Sequence, residues 1–185
     1  IPIRETTPQN PINPYGWSKL MIEKILIDYH KAYKLPVSIL RYFNAAGADI
    51  KGDIGEDHNP ETHLIPLVLE ALFNKEGLIK VNGFDYPTFD GTCIRDYVHV
   101  SDLAKAHVLA LNKILNDKSL SIYNLGNGKG YSIMEVIDTA KKVTGKEIKI
   151  FKSKRRQGDP PVLISSPEKA KKELLIEQKN LLQDF

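Results

Sequence analysis

Two hydrophobic periods alternate along this chain, and the alternation restricts its fold more than any other feature. From Tyr15 to Tyr33 the apolar residues Met21, Ile22, Ile25, Leu26, Tyr29 and Tyr33 recur at helical spacing, with Lys24, Asp28 and Lys31 on the other face. Pro36 stops that helix, and VSILRYFNAAG reads as a buried strand running into a turn. Loop chemistry fills Asp49 to Thr62, and LIPLVLEALF is then a helix with Pro66 in its first turn. IKVNG is a short strand. After the turn-rich DYPTFDGT comes an apolar strand around Tyr97, and Ser101 is placed to cap a helix through Leu115. SIYNL is a strand, GNGKG a tight connection, and Ser132 with Glu135 makes a capping box for the next helix. EIKIF is another strand, and Ser166-Pro167 opens a last helix over 167–175. Strands alternating with helices predict an α/β fold.

Composition removes several classes of function. Of the 185 residues, 42% are hydrophobic and 26% charged, which suffices for an ordinary globular core. A net charge of +3 is too small to call for nucleic acid. The basic run KSKRRQGD has no aromatic residues among its charges and reads as a solvated loop. No apolar run reaches the length of a membrane span, and the opening IPIRETTPQNP has mid-chain loop character without a signal-peptide layout. The single cysteine, Cys93, allows no internal disulfide and suits a reducing cytoplasm.

Three constellations could carry chemistry. Tyr15 and Lys19 stand four apart at the start of the first helix, so both side chains project from one face. An ammonium beside a phenol favours the phenolate and makes the tyrosine a usable base. A bare Y-x-x-x-K decides nothing alone, because a solvated helix pair fits it equally well. Gly126, Gly128 and Gly130 lie between a strand and a helix, as in a dinucleotide fingerprint. The third glycine of that motif would fall at Tyr131, whose bulk spoils close packing, so the segment reads as a turn. His58 and His63 flank Glu61, but their spacing puts them on no common helical face and no third ligand is near, so no metal is expected.

Longer blocks say more. NPYGWSKLMIEKIL, LRYFNAAG, GEDHNPETHLIPLVLEAL, DYPTFDGTCIRDYVHVSDLAKAHVLAL, IYNLGNGKGYSIMEV and RRQGDPP resemble, in this order, the extended short-chain dehydrogenase/reductase family, and within it the UDP-glucose 4-epimerases. The likeness runs over about residues 1 to 175. It implies that residues 1–50 are the remainder of a doubly wound NAD-binding (Rossmann) sheet carrying the Tyr/Lys helix. Residues 51–185 would mainly form a smaller mixed α/β domain that binds the UDP-sugar.

The resemblance also implies roles. Tyr15 would be the catalytic base, and Lys19 would favour its phenolate and bond the nicotinamide ribose. Tyr42 and Phe43 would line the NAD site, and Asn44 would bond the sugar diphosphate. His63 and Leu64 would meet the nucleotide at the start of their helix, where free N–H groups favour anions. Lys80, Val81 and Asn82 would border the uracil, although an aromatic residue usually stands in place of Asn82. Arg95 and Arg156 would hold the diphosphate in guanidinium forks. Asp159 would accept from the ribose hydroxyls, and Leu163 would lie beside the hexose C2 substituent.

On this reading the intact protein is a homodimer with tightly bound NAD that interconverts UDP-glucose and UDP-galactose through a 4-keto sugar. Its alternatives are a sibling enzyme (a dehydratase, a decarboxylase or another UDP-sugar epimerase) and a non-catalytic UDP-sugar-binding fragment. The family opens with a strand, a G-x-x-G-x-x-G loop and a helix. Roughly 130 residues of that pattern would precede Ile1, the size of such a half-domain. The closing IEQKNLLQDF departs from the family's usual end.

Overall fold

In chain order the computed structural model, which describes residues 2–176, runs α1 (Pro14–Tyr33), β1 (Val37–Tyr42), β2 (Asn44–Ala46), α2 (Leu64–Phe73), β3 (Leu78–Asn82), β4 (Ile94–His99), α3 (Val100–Asp117), β5 (Leu120–Leu125), β6 (Gly130–Ser132), α4 (Ile133–Thr144), β7 (Lys149–Ser153), β8 (Val162–Leu163) and α5 (Glu168–Leu174). The segment IEQKNLLQDF lies, after its first residue, outside the described residues.

Local chemistry sets the helix ends. Pro14 occupies the first position of α1, where its missing N–H costs nothing, and the Asn13 side chain accepts the Gly16 amide at 2.8 Å. Lys34 ends the helix with φ 58. The α4 capping box forms as expected: the Glu135 amide donates to Ser132 Oγ at 3.0 Å, and the Ser132 amide donates to Glu135 Oε2 at 2.8 Å. At α3 the expectation fails. The cap is His99, whose Nδ1 accepts the Ser101 amide at 3.1 Å, so Ser101 lies inside the helix. Likewise α5 has Pro167 as its N-cap, with no side-chain cap bond from Ser166.

The segment VSILRYFNAAG is two strands. β1 pairs parallel with β5, and after Phe43 the chain changes partner, so that β2 pairs parallel with β4. The Phe43 amide still donates to Leu125 O at 3.0 Å, which places the switch at this residue. β4 is shared along its length. Its end binds β2, while its beginning binds β6 antiparallel and β8 parallel. β3 pairs parallel with β7. The short strands β2, β6 and β8, absent from the periodicity, all exist because β4 offers them an edge.

Two main apolar clusters follow. Val98, Leu103, Ala106, Tyr123, Leu125 and Leu174 pack α3 and α5 against β4 and β5. Val68, Leu72, Ile79, Val81, Ile137 and Ala140 pack α2 and α4 over β3. A third group, including Ala46, Ile65, Tyr97 and Tyr131, lies around β4. α1 differs from all of these, because none of its residues is buried.

Asp96 on β4 is fully buried and explains the glycine segment after β5. Its carboxylate accepts the Asn127 amide at 2.7 Å, the Gly128 amide at 3.0 Å, the Ser165 amide at 3.0 Å and Ser165 Oγ at 2.5 Å. A Cβ on Gly126 would collide with Ser165 Oγ and Asp96 Oδ2, so only glycine fits. The loop that imitates a phosphate cradle is occupied by the protein's own carboxylate.

Candidate functional site

An open cleft of about 1190 Å³ runs from the N-terminal end of α1, past the β1–β2 junction and the start of α2, to β3 and β8. Tyr15, Tyr42, Phe43 and Asn44 line it on one side. His63 and Leu64 line it where α2 begins, and Lys80, Val81 and Asn82 where β3 ends. Arg95, Arg156, Asp159 and Leu163 complete the wall. Of the residues to which the resemblance gives a role, Lys19 alone is off the lining. Its Nζ sits 5.1 Å from the centre of the Tyr15 ring, so the two share a face of α1 as their spacing requires.

Each group is held by the fold. Asn44 Nδ2 donates to Asp96 O at 2.8 Å, which ties β2 to β4. Arg95 Nη1 donates to Pro160 O at 2.9 Å, and Nη2 lies 3.6 Å from Asp159 Oδ1. Leu163 stands beside Arg95 in the parallel β4–β8 ladder. Arg155 and Arg156 part company. Arg155 is spent elsewhere: Nε donates to Asp85 Oδ1 at 2.7 Å and its guanidinium stacks on Tyr86 at 4.2 Å. That arginine also holds the Asp85 carboxyl below its ordinary value. Both are exposed, and Arg156 is the one that lines the cleft.

Two tyrosines besides Tyr42 meet this cleft, and they differ in environment. Tyr97 is buried, and loss of water pushes its phenol up to about 12, so it stays protonated at neutral pH. Tyr15 is 72% exposed, with the Lys19 ammonium beside its ring.

The sequence reading missed two groups. Arg41, on β1, grips Glu23 of α1 in a two-pronged contact, Nε to Oε1 at 2.8 Å and Nη2 to Oε2 at 2.6 Å, and Nη1 donates to Glu5 O at 3.0 Å. An Arg eighteen residues from a Glu carries no periodic signal; only the pairing of elements reveals it. The second is Glu56, which lies with His58, Glu61 and His63 in the loop entering α2. Glu61 Oε1 accepts the Thr62 amide at 2.6 Å and the His63 amide at 2.7 Å. The His63 amide is the main cause that holds the Glu61 carboxyl below its ordinary value. The expectation that no further ligand lies near the two histidines was a statement about spacing, and the loop brings Glu56 Oε1 to 2.7 Å from His63 Nδ1.

Comparison with known proteins places these features in company. Residues 1–126 match the NAD dependent epimerase/dehydratase family. A UDP-glucose 4-epimerase of Streptococcus mutans is 51% identical over 174 residues, 94% of this chain and 52% of that protein. One of Bacillus subtilis is 46% identical over 100% of this chain and 55% of its own length. The solved UDP-glucose 4-epimerase of Bifidobacterium longum, in complex with NAD+ and UDP, superposes with a TM-score of 0.92 at 41% identity, covering 100% of this chain and 56% of that one. The chain thus spans about half the length of the curated relatives it matches. The likeness establishes the α/β fold, in which the parallel pairs β1–β5 and β2–β4 are part of a doubly wound sheet.

Proposed function

Since this chain belongs to the NAD dependent epimerase/dehydratase family, we propose that it forms the carboxy-terminal part of a UDP-glucose 4-epimerase, which interconverts UDP-glucose and UDP-galactose. One observation carries the reading. One cleft is lined by an exposed tyrosine, with a lysine beside it, and by two arginines with an aspartate. That is the distribution a nucleoside diphosphate sugar needs, a base at the hexose and cations at the diphosphate.

In this reading Arg156 and Arg95 bind the diphosphate, Asp159 accepts from the ribose, and Lys80, Val81 and Asn82 border the uracil. Asn44, His63 and Leu64 flank the diphosphate, and Leu163 flanks the hexose. Tyr15, as phenolate, takes the proton of the sugar's 4-hydroxyl and later returns it, while Lys19 favours the phenolate by its charge. Tyr15, Lys19, Tyr42 and Phe43 fit the nicotinamide end of NAD, being an apolar and aromatic wall with one cation. The glycine segment after β5 does not fit its pyrophosphate, since the amides of Asn127 and Gly128 already serve Asp96. NAD, when bound, supplies the two-electron acceptor and donor for the sugar carbon. Grip on the nucleotide leaves the hexose free to turn over between the two half-reactions.

The domain assignment follows the same reading. Residues 1–50 belong to the NAD-binding side, and 51–185 mainly to the UDP-sugar side, with β5 returning to pair with β1. The whole protein is a homodimer, for which the exposed apolar stripe of α1 provides a surface, and it resides in the cytoplasm. Among the described residues no helix is long and apolar enough to cross a membrane. By itself the 185-residue chain binds UDP-sugar without turning it over and retains no NAD; a stoichiometric nicotinamide in the purified chain would contradict this.

The test is substitution of the base in the whole protein. Tyr15→Phe is expected to slow turnover of UDP-galactose by at least about a hundredfold, the usual worth of a general base. UDP affinity, measured by calorimetry, should be unchanged. Near-normal turnover would remove Tyr15 from the mechanism.

A further inference from the structure

The loop leading into α2 assembles two imidazoles and two carboxylates that the UDP-sugar reading does not require together. His63 Nδ1 lies 2.7 Å from Glu56 Oε1 and 2.9 Å from Glu61 Oε1, and His58 Nδ1 lies 3.8 Å from Glu61 Oε1. The ligand atoms of His58, Glu61 and His63 all fall within 4.8 Å of one another. From this convergence we propose that Glu56, His58, Glu61 and His63 form a binding site for one divalent transition-metal ion of the Zn²⁺ class.

Proton counting is the first argument. An imidazole Nδ1 carries at most one hydrogen, so it can satisfy one of the two carboxylates that converge on it. The second oxygen meets a like charge across the nitrogen. Glu61 makes this costly, because its side chain is only 9% exposed and little water reaches it. Its bonds to the Thr62 and His63 amides account for the position of Glu61, but not for that of Glu56 or His58. A dication at the centre supplies the charge that a single proton cannot.

Geometry and charge agree. Zinc bonds of about 2.0 to 2.2 Å in a tetrahedron set the ligand atoms roughly 3.4 Å apart. Three of the separations, 2.7, 2.9 and 3.8 Å, lie on both sides of that distance, and the ligand atoms of His58, Glu61 and His63 stay within 4.8 Å of one another. With neutral imidazoles the two carboxylates carry two negative charges, which match a dication. The N-terminus of α2 opposes a cation by only about half a charge, and Glu61 sets a carboxylate against it, bonded to the Thr62 and His63 amides just before the helix. The donor set of two nitrogens and two oxygens disfavours Mg²⁺ and Ca²⁺, which take oxygen throughout, and suits Zn²⁺ or its late first-row neighbours. Spacing concealed the site because the histidines meet across a loop rather than along a helix.

The test uses the 185-residue chain freed of metal, titrated with Co²⁺ and followed by visible absorption, then with Zn²⁺ by calorimetry. One equivalent should bind, with the Co²⁺ spectrum of a low-symmetry nitrogen and oxygen site that Zn²⁺ abolishes. His58→Asn and Glu56→Gln, with circular dichroism confirming the fold of each, should weaken Zn²⁺ binding by more than about tenfold, the minimum expected when a metal site loses a partner. No saturable one-equivalent binding by the parent chain would overturn the proposal, as would unchanged affinity in both variants. Neither titration contains nucleotide, so the outcome is independent of the UDP-sugar reading.

Discussion

Arg95 and Arg156 show how two side chains with one proposed role can be told apart. Arg156 is exposed and can be removed without loosening the fold. Arg95 also holds Pro160 O and lies beside Asp159, so it joins β4 to the loop before β8. Either alanine substitution should weaken UDP binding by about 1.5 to 3 kcal/mol, the range for hydrogen bonds to charged groups. Arg95→Ala should in addition lower the thermal unfolding temperature, because it strands a carbonyl, whereas Arg156→Ala should not. Calorimetry with UDP and an unfolding scan of each variant separate the two effects, and unchanged affinity in both would undo the diphosphate assignment. Arg156→Lys should recover only part of the affinity, since it keeps the charge but loses the fork. At this scale the sequence was legible through family blocks rather than through pattern. The residues proposed for the substrate carry no common period, and Asp96, which occupies the glycine loop, reveals itself only once β4 and that loop are adjacent.

Among the elements, the strong periods were readable and the partnered ones were not. α1, α2 and α4 announce themselves by proline, apolar spacing and a capping box. The break within VSILRYFNAAG does not, because one continuous apolar run serves two strands whose partners differ on either side of Phe43. The cap of α3 was misplaced for a similar reason: an imidazole can accept an amide, and no propensity scale favours His99 over Ser101 there. The fastening of α1 is also non-local. Its residues are not buried, and the Arg41–Glu23 fork is what anchors it to β1. Burial would raise the Glu23 carboxyl, but the Arg41 fork and the Gln9 amide outweigh it and hold it below the ordinary 4.5. A carboxyl with a lowered folded value contributes its full stability above the unfolded value and loses it as pH falls through the folded one. The pair should therefore be intact at neutral pH and weaken below about pH 4.5. Glu23→Gln should cost roughly 1.5 to 3 kcal/mol of stability, the range for hydrogen bonds to a charged group, since the pair is only partly buried. The parent and variant unfolding free energies should converge in acid. A gap that stays constant from pH 7 to pH 3 would show that the fork does not anchor the helix.

For the whole molecule, the most informative surface is the outer side of α1. Trp17, Met21, Ile22, Ile25, Tyr29 and Tyr33 are all exposed, although an ordinary amphipathic helix would turn such residues inward. The helical period that made α1 the most legible element in the sequence thus describes a face that nothing in the described residues covers. β1 adds to it, since among the described residues it pairs with β5 alone. Each large apolar side chain on that face would gain about 1.5 to 3 kcal/mol by full burial, and an open strand edge accepts another chain readily. The 185-residue chain should therefore self-associate as its concentration rises, by light scattering or sedimentation, under conditions that leave its circular dichroism unchanged. Because the face is a single helical stripe, Met21→Lys with Ile25→Lys should suppress the association, while two lysines at Val108 and Leu111, exposed on α3, should not. Equal association in both double variants would shift the sticky surface to the β1 edge, and a chain that stays monomeric throughout would mean that the stripe of α1 is no interface at all.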